Sequence, residues 1–158
     1  MIQGKLLSYG DDLKEVYEIR REVFVDELGY PREYERDGLD SEAIHVLVYE
    51  QEKGVNPSKE KVVATGRITL EGNSCSISKI AVLKEYRNKE YGDFAVRMLI
   101  NKAFTAGIRE VRVEVTSKTA EFFRKIGFQY GEMAEDSGVG SKRIMMITAN
   151  DVITCCRK

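Results

Sequence analysis

The chain has 158 residues, the usual size of one compact domain; 42% of them are apolar, 32% are charged and only two are prolines. This composition is typical of a soluble folded protein and excludes a disordered or fibrous chain. Acidic and basic residues are interspersed and the formal net charge is −1. The charge pattern therefore argues against nucleic acid or an anionic membrane as the main partner.

Cysteine usage and the absence of targeting signals predict a cellular compartment. Cys75 and the adjacent Cys155 and Cys156 have no metal-ligand spacing, so we expect no metal site and free thiols in a reducing cytoplasm. No N-terminal stretch resembles a signal peptide, and no apolar run approaches the roughly 20 residues needed to span a bilayer. The sequence predicts a cytoplasmic protein that does not enter membranes.

The N-terminal part predicts a strand followed by a helix. Ile2–Leu7 is a short apolar run, and Asp12 is a candidate cap for a helix whose apolar residues recur at helical spacing as far as Phe24. Gly29 is expected to lie beyond the end of this helix. The charge-rich residues 31–42 then predict a surface loop or a short helix.

The middle of the chain predicts a meander and a long helix. Three strand-like runs rich in β-branched residues follow one another: Ile44–Tyr49, Val62–Leu70 and Ser74–Val82. A polar loop over residues 51–60 and a tight turn at Gly72 and Asn73 join them, which indicates antiparallel pairing. The apolar stripe of Gly92–Ala106 predicts an amphipathic helix that ends at Gly107.

The last part of the chain completes an α+β pattern. Alternating valines predict a strand over residues 111–115, Thr119–Ile126 reads as a short helix, and Phe128–Met133 and Arg143–Ala149 predict two more strands around the loop 134–142. The element order is β-α-β-β-β-α-β-α-β-β. It predicts a single α+β domain over residues 1–158, with a mixed, mostly antiparallel central sheet of about seven strands flanked by helices.

A candidate anion site lies between the strand that ends at Val82 and the helix that begins near Gly92. The connecting loop carries Arg87 and Lys89 and leads into a helix start, where backbone N–H groups have no intrahelical partner and the helix dipole adds about half a positive charge. Gly92 lets a bulky ligand approach the backbone. This pattern predicts a phosphate site, with an ordinary helix start as the alternative that the pattern alone leaves open.

Two spaced motifs resemble those of the GNAT superfamily of N-acyltransferases. The run from Ile80 to Gly92 is similar to the acetyl-CoA signature, in which an apolar strand ending in Ala-Val precedes an R/Q-x-x-G-x-G/A loop, and Arg87 and Gly92 match in register. The run from Ser117 to Phe128 resembles the second signature, N-x-x-A-x-x-F-Y-x-x-x-G-F, with one residue of slack. The resemblance implies an acyl-CoA N-acyltransferase fold.

The N-terminal region extends this resemblance to nearly the whole chain. Arg20-Arg21-Glu22-Val23-Phe24-Val25-Asp26-Glu27 is similar to a GNAT branch that carries R-x-x-V-F-x-x-E, followed by P, E-x-D, D and H. The residues that match the rest of that pattern are Pro31, Glu35, Asp37, Asp40 and His45.

The resemblance implies acetyl-CoA as cosubstrate, without a metal. The backbone of the strand before the loop would bond the pantetheine arm where two strands part, the loop amides would hold the pyrophosphate, and two residues of the second signature would line the far side. The implied cofactor-binding residues are Ile80, Ala81, Val82, Arg87, Asn88, Lys89, Glu90, Tyr91, Gly92, Asp93, Ser117 and Phe123.

The sequence departs from the family pattern at two of these positions. Glu90 replaces the first loop glycine and brings a carboxylate close to the expected pyrophosphate, which predicts weakened binding. Phe123 stands where many relatives carry a tyrosine that serves as general acid, so Tyr130 or Tyr91 is expected to substitute, or the thiolate leaves unassisted.

Glu27, His45 and Tyr130 are the candidate catalytic residues. Residues 75–79 hold no carboxylate where relatives often place a base, and Glu27 and His45 match the branch motif that borders the acceptor site in the family. A structural hydrogen bond is the alternative role for His45, and simple solvation is the alternative for Glu27.

The resemblance implies an acetyl-CoA-dependent N-acetyltransferase that moves an acetyl group to a primary amine of a small molecule or peptide by direct attack on the thioester. Two other interpretations stay open: a non-catalytic acyl-CoA-binding or regulatory module, and a partner-binding domain whose contact surface is residues 32–40. The acceptor and the oligomeric state are open, with a homodimer as the commonest soluble assembly.

Overall fold

The computed structural model describes residues 2–8, 10–51, 60–131 and 143–150. Cys155, Cys156 and the predicted loop 134–142 lie outside the described residues, as do most of the predicted loop 51–60 and the end of the strand predicted to run to Met133. None of the helices in the described ranges is long and apolar enough to cross a membrane.

The described residues form one sheet with the predicted mixed topology. Its strands are β1 Ile2–Leu7, β2 Ile44–Gln51, β3 Glu60–Glu71, β4 Ser74–Val82, β5 Glu110–Val115, β6 Gln129–Tyr130 and β7 Arg143–Thr148. Their order across the sheet is β1-β2-β3-β4-β5-β7-β6. Every pair is antiparallel except β4 and β5, which are parallel. The predicted α+β fold with about seven strands is confirmed.

The helices lie at the predicted places with small changes in their bounds. They are α1 Lys14–Arg20, which continues as a π-helix over Arg21–Glu27, then the short α2 Arg32–Glu35, α3 Tyr91–Thr105 and α4 Ala120–Ile126, with 3₁₀ turns at Asp40–Glu42 and Lys84–Tyr86. The N-cap of α1 is Leu13, without a side-chain capping hydrogen bond, rather than the predicted Asp12. Asp12 Oδ1 still accepts a hydrogen bond from the amide of Lys14 at 3.0 Å and so satisfies a donor at the start of the helix. Gly29 follows the π-helix with φ +76°, a conformation that favours glycine.

Helices cover both faces of the sheet because alternate strand residues point to opposite sides. Val46 and Val48 pack in the main core with α3, which contributes the buried residues Ala95, Val96, Leu99, Ile100 and Ala103. Leu47, between the two valines, faces the other side and packs with Val16 of α1. This two-sided burial explains why β2 reads as a continuous apolar run.

A bulge in β4 is the irregularity that shapes the centre of the sheet. Thr65 of β3 pairs with Ala81, but Arg67 pairs with Ser78, so Lys79 and Ile80 together lie opposite a single residue, Gly66. Lys79 has φ +53°, a left-handed conformation that is uncommon for residues other than glycine.

The strands β4 and β5 part just before this bulge. Their parallel ladder joins Ser74–Ile77 to Glu110–Val113 and ends there, although β4 continues to Val82 and β5 to Val115. The edge of β4 from Ser78 onward therefore faces a gap rather than a hydrogen-bonded neighbour.

Gly66 is expected to tolerate no side chain. A Cβ atom there would lie 2.5 Å from Ile80 Cδ1 and 3.1 Å from Leu99 Cδ1, which belong to β4 and α3. We expect Gly66→Ala to lower the free energy of unfolding by about 1–3 kcal/mol in urea denaturation, because both neighbours must move. Gly131→Ala is the control, since its Cβ would meet one side chain, Met146, whereas the Cβ at Gly66 would crowd two, one of them the fully buried Leu99. Equal losses in the two variants would contradict this account.

Candidate active site

A cleft of about 920 Å³ opens where β4 and β5 part. Its floor is Ile80–Val82 of β4, one wall is the π-helix, and the opposite wall is α4. The loop and helix start that follow β4 close one end. In the described part of the chain its lining residues are Val23, Phe24, Leu28, Ile80, Ala81, Val82, Tyr86, Arg87, Asn88, Glu90, Tyr91, Gly92, Asp93, Arg97, Thr119, Phe122 and Lys125.

The loop between β4 and α3 has a backbone shape suited to an anion. Asn88 and Glu90 have φ values of 62° and 71°, both left-handed. The first backbone bond of α3 runs from the amide of Phe94 to the carbonyl of Glu90 at 3.0 Å, so the amides just before Phe94 have no carbonyl one turn earlier within the helix. Glu90 makes no side-chain capping hydrogen bond. The helix start can therefore present its amides to a bound anion.

Gly92 keeps the cleft open at this end. A Cβ atom at this position would stand 3.4 Å from both Phe122 Cζ and Val82 Cγ2, across the space between floor and wall. A longer side chain would fill that space. Lys125 and Arg97 also line the cleft, and Arg97 Nε pairs with Asp93 Oδ1 at 2.6 Å.

Three of the predicted cofactor residues lie off the cleft wall. Lys89 is exposed with its ammonium 5.7 Å from the ring of Tyr86, and Ser117 is exposed in the turn after β5. Phe123 is buried in the core against Phe128, with ring centroids 5.4 Å apart. The other predicted cofactor residues do line the cleft.

Thr119 and Phe122 line the cleft where the sequence pointed to Ser117 and Phe123. Helical spacing was the available signal, because Ala120, Phe123 and Ile126 share the buried face of α4 and place Phe122 on the other side. Phe122 is 36% exposed. Because the match to the second signature allows one residue of slack, it did not distinguish Phe122 from Phe123.

Glu27 is bound to Arg87 across the rim of the cleft. Arg87 Nη1 and Nη2 donate to the two carboxylate oxygens of Glu27 at 2.6 and 2.7 Å, and Arg87 Nε donates to the carbonyl of Val82 at 3.1 Å. The hydrogen bonds from Arg87 lower the pKa of Glu27. A carboxylate stabilised as an anion in this way is a weak base. The geometry therefore favours a role for Glu27 in orienting Arg87 over proton abstraction.

His45 lies in a buried ionic network away from the cleft. Arg20 is fully buried and bonds Asp40 Oδ1 at 2.7 Å and Glu35 Oε1 at 3.0 Å. Arg67 bonds both oxygens of Asp37 at 2.7 and 2.8 Å. Arg67 belongs to β3, and the other residues of this network belong to the branch motif. The network therefore joins the segment 35–40 to the sheet.

His45 is neutral in this environment. Its Nε2 lies 3.3 Å from the carbonyl oxygen of Asp40, so Nε2 carries the proton, and Nδ1 has no hydrogen-bond partner among the described residues. Burial lowers the pKa of His45, and Arg20 and Arg67 act in the same direction against the opposing effect of Asp40. These contacts match the structural alternative for His45, and its predicted catalytic role stays a prediction.

Neither tyrosine considered as a general acid presents a free hydroxyl to the cleft. Tyr130 lies on β6, where the guanidinium of Arg143 stands 4.6 Å from its ring centroid, and it is absent from the cleft lining. Tyr91 lines the cleft but is 4% exposed, and burial together with a hydrogen bond to Glu50 raises the pKa of Tyr91 to about 12.

Residues 13–128 match the acetyltransferase (GNAT) family. The chain belongs to this family. YjcF of Bacillus subtilis, an uncharacterized N-acetyltransferase, is 27% identical over 137 residues, which cover 87% of this chain and 92% of YjcF. Acetyl transfer is thus supported as the class of reaction.

Two solved structures illustrate the shared fold. An acyl-CoA N-acyltransferase from Pseudomonas aeruginosa superposes with a TM-score of 0.74 at 18% identity, over 92% of this chain and 99% of that one. The PaiA N-acetyltransferase from Thermoplasma acidophilum, solved in complex with coenzyme A, superposes with a TM-score of 0.66 at 19% identity, over 94% and 99%. Within the described residues, no group of three or more potential metal ligands is present.

His45 is expected to make stability depend on pH near neutrality. Its folded pKa is depressed, so the unfolded chain binds more protons and the free energy of unfolding should fall as pH drops through about 6.5, by at most about 1.4 kcal/mol per pH unit. His45 is the single histidine of the chain. Urea denaturation between about pH 8 and about pH 5 should show a smaller slope for His45→Gln. Identical slopes in both proteins would refute this account.

Glu90 is expected to store backbone strain. Its left-handed conformation costs about 1–2 kcal/mol for a residue with a side chain, and glycine avoids that cost at the expense of some chain entropy. We expect Glu90→Gly to raise the free energy of unfolding by up to about 1 kcal/mol. Glu90→Gln keeps the side chain and should leave it unchanged, so an equal gain in both variants would attribute the effect to charge instead.

Proposed function

We propose that this protein is an acetyl-CoA-dependent N-acetyltransferase that transfers the acetyl group to a primary amine by direct attack on the thioester. The observation that carries the proposal is the continuity of the cleft, which runs from the open helix start of α3 to the gap between β4 and β5. Family membership supports the same reaction class.

The residues at the helix start fit the pyrophosphate of coenzyme A. The amides at the start of α3 supply donors, and Lys125 on the facing wall supplies a cation at the same end of the cleft. Two carboxylates oppose an anion here: Glu90 is exposed to water, and Asp93 is paired with Arg97 at 2.6 Å. The backbone amides at the start of α3 therefore favour an anion at this site.

The edge of β4 fits the pantetheine arm. Beyond Ile77 the β5 ladder no longer covers β4, so backbone groups of residues 80–82 can bond the amide groups of the arm as a neighbouring strand would. The side chains of Ile80 and Ala81 add apolar contact along the floor.

Acetyl-CoA would supply an activated acetyl group: the amine nitrogen forms the new C–N bond as the C–S bond breaks, and the proton lost by nitrogen balances the one taken up by the thiolate. The chain's contribution is mostly positioning. Arg87 holds the end of β4 and the π-helix together, which fixes the width of the cleft. Water accepts the amine proton in this scheme, because Glu27 is paired with Arg87 and neither His45 nor Tyr130 lines the cleft.

A non-catalytic acyl-CoA-binding module is the second candidate. It is favoured by the phenylalanines at 122 and 123, which have no hydroxyl, and by the engaged hydroxyl of Tyr91. A thiol of pKa about 8.5 leaves without an acid, so the proposed enzyme does not require that hydroxyl. Tight binding of acetyl-CoA with no release of free thiol across a broad panel of amines would support the module instead.

Gly92 provides the direct test of cofactor placement. We expect Gly92→Val to weaken acetyl-CoA binding at least about tenfold in titration calorimetry, because the added methyl groups would fill the space between Phe122 and Val82. Gly92→Ala is the matched control, since its Cβ would make ordinary contacts and binding should change by less than about threefold. Unchanged binding in Gly92→Val, with the fold intact by circular dichroism, would place the cofactor elsewhere.

A further inference from the structure

The cleft has two chemically different halves. The charged and polar lining residues come from the loop, α3 and α4, among them Arg87, Asn88, Asp93 and Lys125, and we call this part the charged half. The half beside the π-helix is lined by Val23, Phe24, Leu28, Ile80 and Ala81, all apolar. If the pyrophosphate occupies the charged half, the thioester must reach the apolar half, and the acceptor amine must enter there.

The apolar half continues onto an exposed surface that we call the lip, formed by Leu28, Tyr30 and Tyr34. Leu28 both lines the cleft and is 52% exposed, and Tyr30 and Tyr34 are each 45% exposed. The ring of Tyr34 packs edge-on against Phe24 with centroids 6.2 Å apart, and Tyr30 lies 4.7 Å from Tyr34. An apolar path therefore leads from the cleft wall to solvent.

Two cations hold the lip in place, the half-buried Lys79 and the buried Arg20. Lys79 Nζ donates to the carbonyl of Tyr34 at 2.6 Å, and Arg20 donates to the carbonyl of Glu35. The amide of Tyr30 donates to the carbonyl of Phe24 at 2.8 Å. A surface ordered by such contacts is preorganised for a ligand and loses little entropy on binding.

The charge distribution around the apolar half of the cleft, where the acceptor amine enters, disfavours an acceptor with several positive charges. The acids that line the cleft in the described residues are Glu90 and Asp93, both in the charged half, and Glu27 beside the lip has both oxygens on Arg87. The ammonium of Lys79 lies 3.6 Å from the ring centroid of Tyr34, behind the lip. A second positive charge on the acceptor would find no carboxylate among the residues that line the apolar half of the cleft.

We infer that the acceptor is a primary amine carried on an aromatic or aliphatic body without a second positive charge, bound between Leu28, Phe24 and the lip. This inference rests on the proposed function. It names the substrate class of that same cleft, and it sets polyamines and lysine-rich peptides apart as poor acceptors.

Phenethylamine and spermidine are the probes that separate these classes. With the full-length protein and saturating acetyl-CoA, thiol release should give a kcat/KM for phenethylamine at least about tenfold above that for spermidine, the scale on which one apolar contact discriminates substrates. Equal or higher kcat/KM for spermidine would overturn the inference while leaving N-acetyl transfer in place.

Leu28 gives the site-specific test because it is half exposed and can be changed without disturbing the core. Leu28→Ala should raise the KM for phenethylamine about fivefold and leave the KM for acetyl-CoA within about twofold. Leu39→Ala is the control, since Leu39 is 50% exposed in the same segment and does not line the cleft. The same change in both variants would overturn the inference.

Leu28→Glu supplies the carboxylate that the lining of the apolar half of the cleft lacks. It should shift the ratio of kcat/KM for spermidine over phenethylamine upward by at least about tenfold, because an ammonium gains a partner and an apolar group loses one. An unchanged ratio would count against acceptor entry at Leu28.

Failure of the proposed function has a different signature. If no amine releases thiol from bound acetyl-CoA, the enzymatic proposal falls, and calorimetry of phenethylamine with the CoA-loaded protein then decides this inference alone. Binding that Leu28→Ala weakens and Leu39→Ala does not would sustain the apolar site. No detectable binding to either the wild type or Leu39→Ala would overturn it.

Discussion

The site depends on one interruption of backbone hydrogen bonding, the end of the β4–β5 ladder at Ile77 and Val113. A continuous ladder would have filled the space in which the cleft lies. The bulge at Lys79 and Ile80 comes immediately afterwards and bends β4 away, while Gly66 on β3 gives Ile80 the room to sit at the floor. A local break in the sheet thereby becomes a cleft in the middle of the domain.

Charged residues hold the two sides of this opening. Arg87 joins Glu27 of the π-helix to the last carbonyl of β4, and Arg67 joins Asp37 to Ser78 just before the bulge. Both arginines make directional hydrogen bonds. The free-energy cost of removing water from Arg67 and Asp37 is offset by the two hydrogen bonds between them. Glu27 and Asp37 of the branch motif therefore act in this structure as ionic partners of Arg87 and Arg67.

Local sequence patterns predicted most of the fold but only part of the candidate site. Alternating valines predicted the strand over residues 111–115, and an apolar stripe predicted α3. Both predictions succeeded because the periodicity of apolar residues shows which face of an element is buried. Arg87 and Gly92 were identifiable because the anion site is built within one turn of chain. Phe122 and Thr119 were missed because the match to the second signature allows one residue of slack, although the spacing of Ala120, Phe123 and Ile126 puts Phe122 off the buried face. The ion pair of Glu27 could not be predicted, because its partner lies 60 residues away.

The sequence by itself determined the order of strands and helices, the family, and the helix start that can receive a phosphate, since all of these follow from residues close together in the chain. The tertiary structure decided which strands part and which carboxylates are already bound. Those features arise from contacts between distant segments. Spacing along the chain cannot specify them, because the same side chain is a base in water and a structural anion beside an arginine.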